Sequence, residues 1–289
     1  MIKLLSFCTA LLLLPAAWAA PGCDAQHGCI ESNSWELGLA LGYGERSNPL
    51  REHNDIPLYL VPEIAYYGDD WYFDNGSLGY ILWEDDRFSL NLAGNFASDR
   101  AYFDRWDPAN LFITGNLSNR DVPIDQGPVI DPSGEDELTS FDELETRNFT
   151  YLGGLEAYYF SKLGMIKLAW MHDLFGVHQG SEVQFKWEYG INFGDLTTTA
   201  SVFADWKSKD LVAYYYGVRP TENLYWSQTY QATSGWNRGL ELNLSYPLAQ
   251  HWELLGMVRY TRLAESISAS PLVVEDDSLA YFLGIGYSF

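Results

Sequence analysis

From Ser34 onward the chain alternates between apolar residues and small or polar ones. In SWELGLALGYG, Trp35, Leu37, Leu39, Leu41 and Tyr43 fall on one side, with Glu36, Gly38, Ala40, Gly42 and Gly44 on the other. A period of two marks a strand, whose successive side chains point to opposite faces. The same beat runs through RFSLNLAGNF from Arg87, SEVQFKWEYGINF from Ser181, GLELNLSYP from Gly239 and HWELLGMVRYT from His251. Most of these runs reach roughly 9–11 residues, the length that crosses a bilayer, against about five or six in soluble sheets. One face is almost purely apolar, with aromatics near the run ends, and the other is small and polar, with charges at mid-run. A β-sandwich would also alternate, with its apolar face inward. Strand length, aromatic ends and an export signal favour a membrane barrel, apolar face to lipid and polar face to a lumen. The expected fold is all-β, an antiparallel transmembrane β-barrel.

The closing run places Leu279, Tyr281, Leu283, Ile285, Tyr287 and Phe289 on the apolar face. It is expected to pair with the first strand and close the barrel. A terminal Phe after such alternation resembles the assembly signal of bacterial outer-membrane barrels, which implies the barrel-assembly machinery as a partner. Short links fall at Gly68–Asp70, Glu84–Asp86, Ser161–Leu163, Gly194–Asp195 and Pro247–Gln250, and long ones at about 97–148, 207–235 and 264–277. Short periplasmic turns and long extracellular loops are the usual asymmetry. The runs number eleven, whereas bacterial single-chain barrels have even counts. The repair is a bulge or a very tight hairpin at Asn75-Gly76, or a strand hidden in 97–148. Twelve strands are expected, with ten as the alternative.

The N-terminus reads as a targeting segment. Lys3 precedes an apolar core from Leu4 to Leu14, and Ala17, Trp18 and Ala19 supply a cleavage site. Residues 1–19 are read as a cleaved signal peptide, 20–33 as a periplasmic arm and 34–289 as the barrel. In an oxidising compartment Cys23 and Cys29 favour pairing into a small loop. With His27 between them they make an incomplete zinc set.

The formal net charge is −22, and no basic face is present to bind nucleic acid. Much of the acid lies between Asp99 and Glu145, including DPSGEDELTSFDELE from Asp131. That stretch reads as a long polar loop, without the spacing of a calcium loop. The histidines His27, His53, His172, His178 and His251 show no metal-ligand spacing. MHDLFGVHQG could lend His172, Asp173 and His178 to a barrel lipid hydrolase, but polar residues capping a strand at the outer rim explain them as well. No cofactor and no catalysis are expected.

The inward phase carries Glu36, Glu63, Glu156, Glu182, Glu188, Glu241 and Glu253, opposed by Lys167, Lys186 and Arg259. Isolated charges there would be costly, so pairing across strands is expected. The result would be a salt-bridged plug or, alternatively, a selective pore.

Several stretches resemble the MltA-interacting protein/OmpV family of outer-membrane proteins. They are NGSLGYILW (75–83), HDLFGVHQG (172–180), YYYGVRPTE (214–222), YPLAQHWELLGMVRYTRL (246–263) and SASPLVVEDDSLAYFLGIGYSF (268–289). The acidic insertion near 131–145 is longer than the family pattern. The resemblance implies an outer-membrane barrel without catalysis, exposed to outer-membrane lipid. Its best-described role is a scaffold joining a murein lytic transglycosylase to a murein synthase. A small cation-selective or solute-specific channel is the alternative. No functional residue comes with the resemblance.

Overall fold

The computed structural model describes residues 33–112 and 144–289. Twelve antiparallel strands close into a single barrel, each paired with its sequence neighbours and β1 with β12. They are β1 Trp35–Arg46, β2 Ile56–Tyr67, β3 Trp71–Asp74, β4 Ser77–Glu84, β5 Phe88–Phe96, β6 Tyr151–Ser161, β7 Gly164–Asp173, β8 Ser181–Phe193, β9 Leu196–Lys207, β10 Gly235–Ala249, β11 Trp252–Arg262 and β12 Asp277–Ser288. The closing seam runs from Gly38 opposite Ser288 to Arg46 opposite Ala280. It removes both sheet edges, whose unpaired N–H and C=O groups lipid could not satisfy. Phe289 lies just past β12, and its N–H donates to Leu37 O at 2.9 Å. The signal segment, the arm up to residue 32 with Cys23 and Cys29, and the acidic run as far as residue 143 lie outside the described residues.

The twelfth strand comes from Asn75-Gly76. Both residues have positive φ, 47° and 90°, and Asp74 pairs with Ser77 across them. That is the geometry of a two-residue hairpin of the primed type, which suits an Asn-Gly pair. Asn75 Oδ1 also accepts the Ile64 N–H at 2.9 Å. A Cβ at Gly76 would strike the Phe96 ring, so the close approach as well as the φ demands glycine. This link lies on the same end as the long ones, and of the expected repairs it is the very tight hairpin. One correction concerns Pro247. It stays inside β10, opposite Glu253, next to a register shift, and the turn falls at Gln250–His251. Proline is tolerated at such irregularities because fewer ladder hydrogen bonds depend on its missing N–H.

The two faces separate as the alternation requires. Leu283 (61%), Tyr43 (59%) and Leu240 (58%) remain exposed on the outer wall, while Ala40, Ser201 and Phe203 are buried inside. An apolar belt of this extent is stable only against lipid. Among the described residues, the links on the end opposite the short turns hold four α-helices, α1 Pro108–Leu111, α2 Lys209–Tyr216, α3 Leu224–Thr229 and α4 Glu265–Ser268, and a 3-10 turn at Arg100–Tyr102. By the turn-length rule this end is extracellular. The main apolar core lies there rather than within the wall, around Leu50, Tyr102, Leu211, Val212, Tyr215, Tyr216, Ile267 and Leu272.

Candidate functional site

The lumen is lined by ion pairs. Glu156 of β6 pairs with Lys167 of β7, and Tyr72 of β3 donates its hydroxyl to Glu156 at 2.6 Å. The Tyr72 ring lies along the inner wall over Gly79 of β4, and so reaches past β4 and β5, which separate those two strands. Lys186 of β8 lies 2.8 Å from Glu188 and 3.2 Å from Glu241 of β10, which Arg259 of β11 meets at 2.6 Å. Lys167 and Lys186 are direct register partners. Like charges so placed repel, and each lysine turns to its own carboxylate instead. Glu253 accepts from Ser245 Oγ at 2.6 Å. Glu36 and Glu63, on the inward phase near the short-turn end, act electrostatically on Tyr67.

Apolar side chains fill much of the remaining space. Phe203 lies beneath the Arg259 guanidinium at 3.9 Å, and Phe282 packs with Leu58 and Met257. Gly42 makes room for Phe282, because a Cβ there would overlap the end of that ring. A cavity of ≈ 290 Å³ persists toward the extracellular half, with Lys167, Lys186, Lys207, Arg259, Glu182 and Asp205 among its walls.

Sequence reasoning missed a deeply buried lysine. Lys207, 2% exposed at the end of β9, is 2.7 Å from both Glu182 of β8 and Asp99 of the β5–β6 link. Asp99 also accepts the Tyr216 hydroxyl at 2.8 Å. The lysine therefore ties the wall to the cap. Its inward phase, two residues beyond Asp205 in SVFADWK, was the available signal. Asp99 was not legible, because only the folded link brings it to the lumen.

The cap has its own polar skeleton. Arg147 and Glu222 form a fully buried ion pair, with bonds of 2.5 and 3.2 Å. Arg147 also donates to the Tyr215 and Gly217 carbonyls. YYYGVRPTE is thus the segment that builds the cap: two buried tyrosines, a helix end and the carboxylate that receives Arg147. Burial and the neighbouring Asp99 push the Tyr216 phenol well above its usual range. Burial pushes Tyr230 up to about 12. Arg46 of β1 lies 4.0 Å over the Tyr102 ring and donates to Asn110 Oδ1 of α1 at 3.2 Å. A bridge between Leu50 and Val273 joins the first and last outer links.

The histidine-bearing loop after β7 does not assemble a triad. Asp173 accepts the backbone N–H groups of Phe175, His178 and Gln179, together with the Thr150 hydroxyl. Its side chain is buried inward, whereas His172 sits on the other phase of β7 and contacts Ser181 Oγ at 2.9 Å. His178 is buried against Tyr214 and Tyr215, and its Nδ1 accepts the Gly180 N–H at 2.9 Å. Burial, partly opposed by Asp173, holds its pKa below 6.5. Among the described residues no group of three or more His, Cys, Asp or Glu side chains could hold a metal ion.

Comparison with known proteins follows the same lines. The chain is 28% identical over 255 residues to the MltA-interacting protein of Escherichia coli K12, covering 88% of this chain and 90% of that protein. It is 25% identical to the outer membrane protein OmpV of Vibrio cholerae serotype O1 over the whole of both chains. Among solved structures the NanC porin aligns over 88% of this chain and 100% of its own, at 9% identity and a TM-score of 0.43. The sequence profile described as MltA-interacting protein MipA matches residues 37–289, which is the whole barrel but its first two strand residues. The chain belongs to the MltA-interacting protein family and is an outer-membrane β-barrel.

Proposed function

We propose that the barrel is a non-enzymatic scaffold that holds a murein lytic transglycosylase beside a murein synthase at the periplasmic face. The observation that carries this reading is the obstructed lumen: paired charges line it, Lys207 of β9 reaches Asp99 of the β5–β6 link at its mouth, and the tyrosine-rich core caps it. The printed name of the Escherichia coli relative supports the choice of partner. The short turns Gly68–Asp70 and Asp85–Arg87, and with them the N-terminal arm, are the surfaces offered to those enzymes. The terminal segment Tyr281–Phe289 would be read by the barrel-assembly machinery. Planar-bilayer recording tests the scaffold against its alternative, a small channel, which the ≈ 290 Å³ cavity with its mixed charges favours. A folded barrel without unitary steps is expected, together with capture of a lytic transglycosylase that turn substitutions abolish. Stable ion-selective steps without capture would overturn the scaffold reading.

A further inference from the structure

Cations are scarce on the outer wall. Of the basic residues within strands, Arg46, Lys167, Lys186, Lys207 and Arg259 take the inward phase. Arg238 of β10 and Arg262 of β11 take the outward one: Asn237 and Glu241 are buried on the opposite phase of β10, as is Met257 on that of β11. These two are direct register partners at the extracellular ends of their strands. Like charges directly opposite one another weaken a sheet unless something lies between them. Arg262 is offset by Asp276 and, at 3.7 Å, by Asp277. Arg238 has neither an ion pair nor a side-chain hydrogen bond among the described residues. Both arginines line a cleft of ≈ 830 Å³ between the links that carry α3 and α4. Trp226 and Trp236 wall it, and so does Ser266, whose buried Oγ lacks a hydrogen-bond partner. From the arginines toward the bilayer centre the same wall exposes Leu240, Tyr260 and Leu279.

We propose that this cleft binds the phosphorylated headgroup of an outer-leaflet lipid. The phosphate lies between Arg238 and Arg262, and the acyl chains lie along Leu240, Tyr260 and Leu279. A guanidinium fork matches phosphate geometry, and paired basic side chains at the headgroup level recognise anionic lipids. The depth selects the source. A free anion must approach a chain of net charge −22, whereas a membrane lipid presents its phosphate already at this level.

The test is native mass spectrometry of the purified full barrel in detergent, titrated with lipid A, alongside Arg238→Gln/Arg262→Gln and Lys209→Gln. Lys209 is an exposed cation on the same side of the membrane but outside the cleft. Heat-modifiable mobility on gels confirms that each variant is folded. The wild type and Lys209→Gln are expected to retain lipid A equally, the double variant at least about tenfold less, and millimolar inorganic phosphate should not displace it. Equal retention by the double variant, or a similar loss in Lys209→Gln, overturns the site. Displacement by inorganic phosphate overturns the lipid assignment and leaves a site for a free anion.

Discussion

Replacing Lys207 by Met should release the cap from the wall. The side chain is buried between Asp99 and Glu182 at 2.7 Å each, and both carboxylates are themselves almost fully buried. Met keeps the length and apolar stem but removes the cation, leaving two uncompensated carboxylates in a poorly hydrated space. Breaking a buried pair in this way costs about 3–5 kcal/mol. The barrel wall, closed on itself by twelve paired strands, will not unfold first. The cost falls on the cap, which opens locally. At about 1.36 kcal/mol per decade it raises the open fraction by roughly two to nearly four orders of magnitude. Chymotrypsin cleavage in the tyrosine-rich link 208–234 reads that fraction when reclosing is fast. The triple variant Lys207→Met/Asp99→Asn/Glu182→Gln should regain most of the protection, because no unpaired charge is left. Cleavage of Lys207→Met within threefold of wild type would refute the reasoning. So would a triple variant no better protected than the single one.

Gly76→Ala should destabilise the barrel by about 1–2 kcal/mol for the positive φ alone, with the Phe96 ring adding to it, read as a lowered urea midpoint in lipid vesicles; an unchanged midpoint would mean the hairpin relaxes freely. The cap should also loosen in acid, because His178 is held neutral by burial with its folded pKa below 6.5. The unfolded form then binds the extra proton first, so stability is full above about 6.5 and falls as pH drops from there toward the folded pKa. Protection factors in the loop 174–180, with exchange corrected for its intrinsic pH dependence, should fall between pH 7.5 and 5 in the wild type but not in His178→Phe, and equal pH dependence in both would remove His178 as the cause.

Strand content was legible because alternation is local. A residue's phase follows from its neighbours, so Glu156, Lys167, Glu182, Lys186, Glu188, Glu241 and Arg259 could be placed on the inward face before any pairing was known. Their partners could not. Lys186 reaches Glu241 across β9, and Tyr72 reaches Glu156 over β4 and β5, contacts that depend on the register and curvature of the sheet. Asn75-Gly76 could be a bulge or a hairpin from its residues alone; the backbone, with both φ angles positive, makes it the hairpin. The links were harder still. Asp99, Arg147 and Glu222 lie far apart in the chain and show no period, and they become a buried framework only once α2 packs onto the mouth of the barrel.

The sequence by itself determined which strand residues meet lipid and which line the lumen, because a period of two is a property of neighbours. Tertiary structure alone decided how the inward charges pair, that a cap covers one end, and that Arg238 and Arg262 share an outer cleft. Those depend on strand register and on closure of the sheet, which bring distant residues within bonding distance.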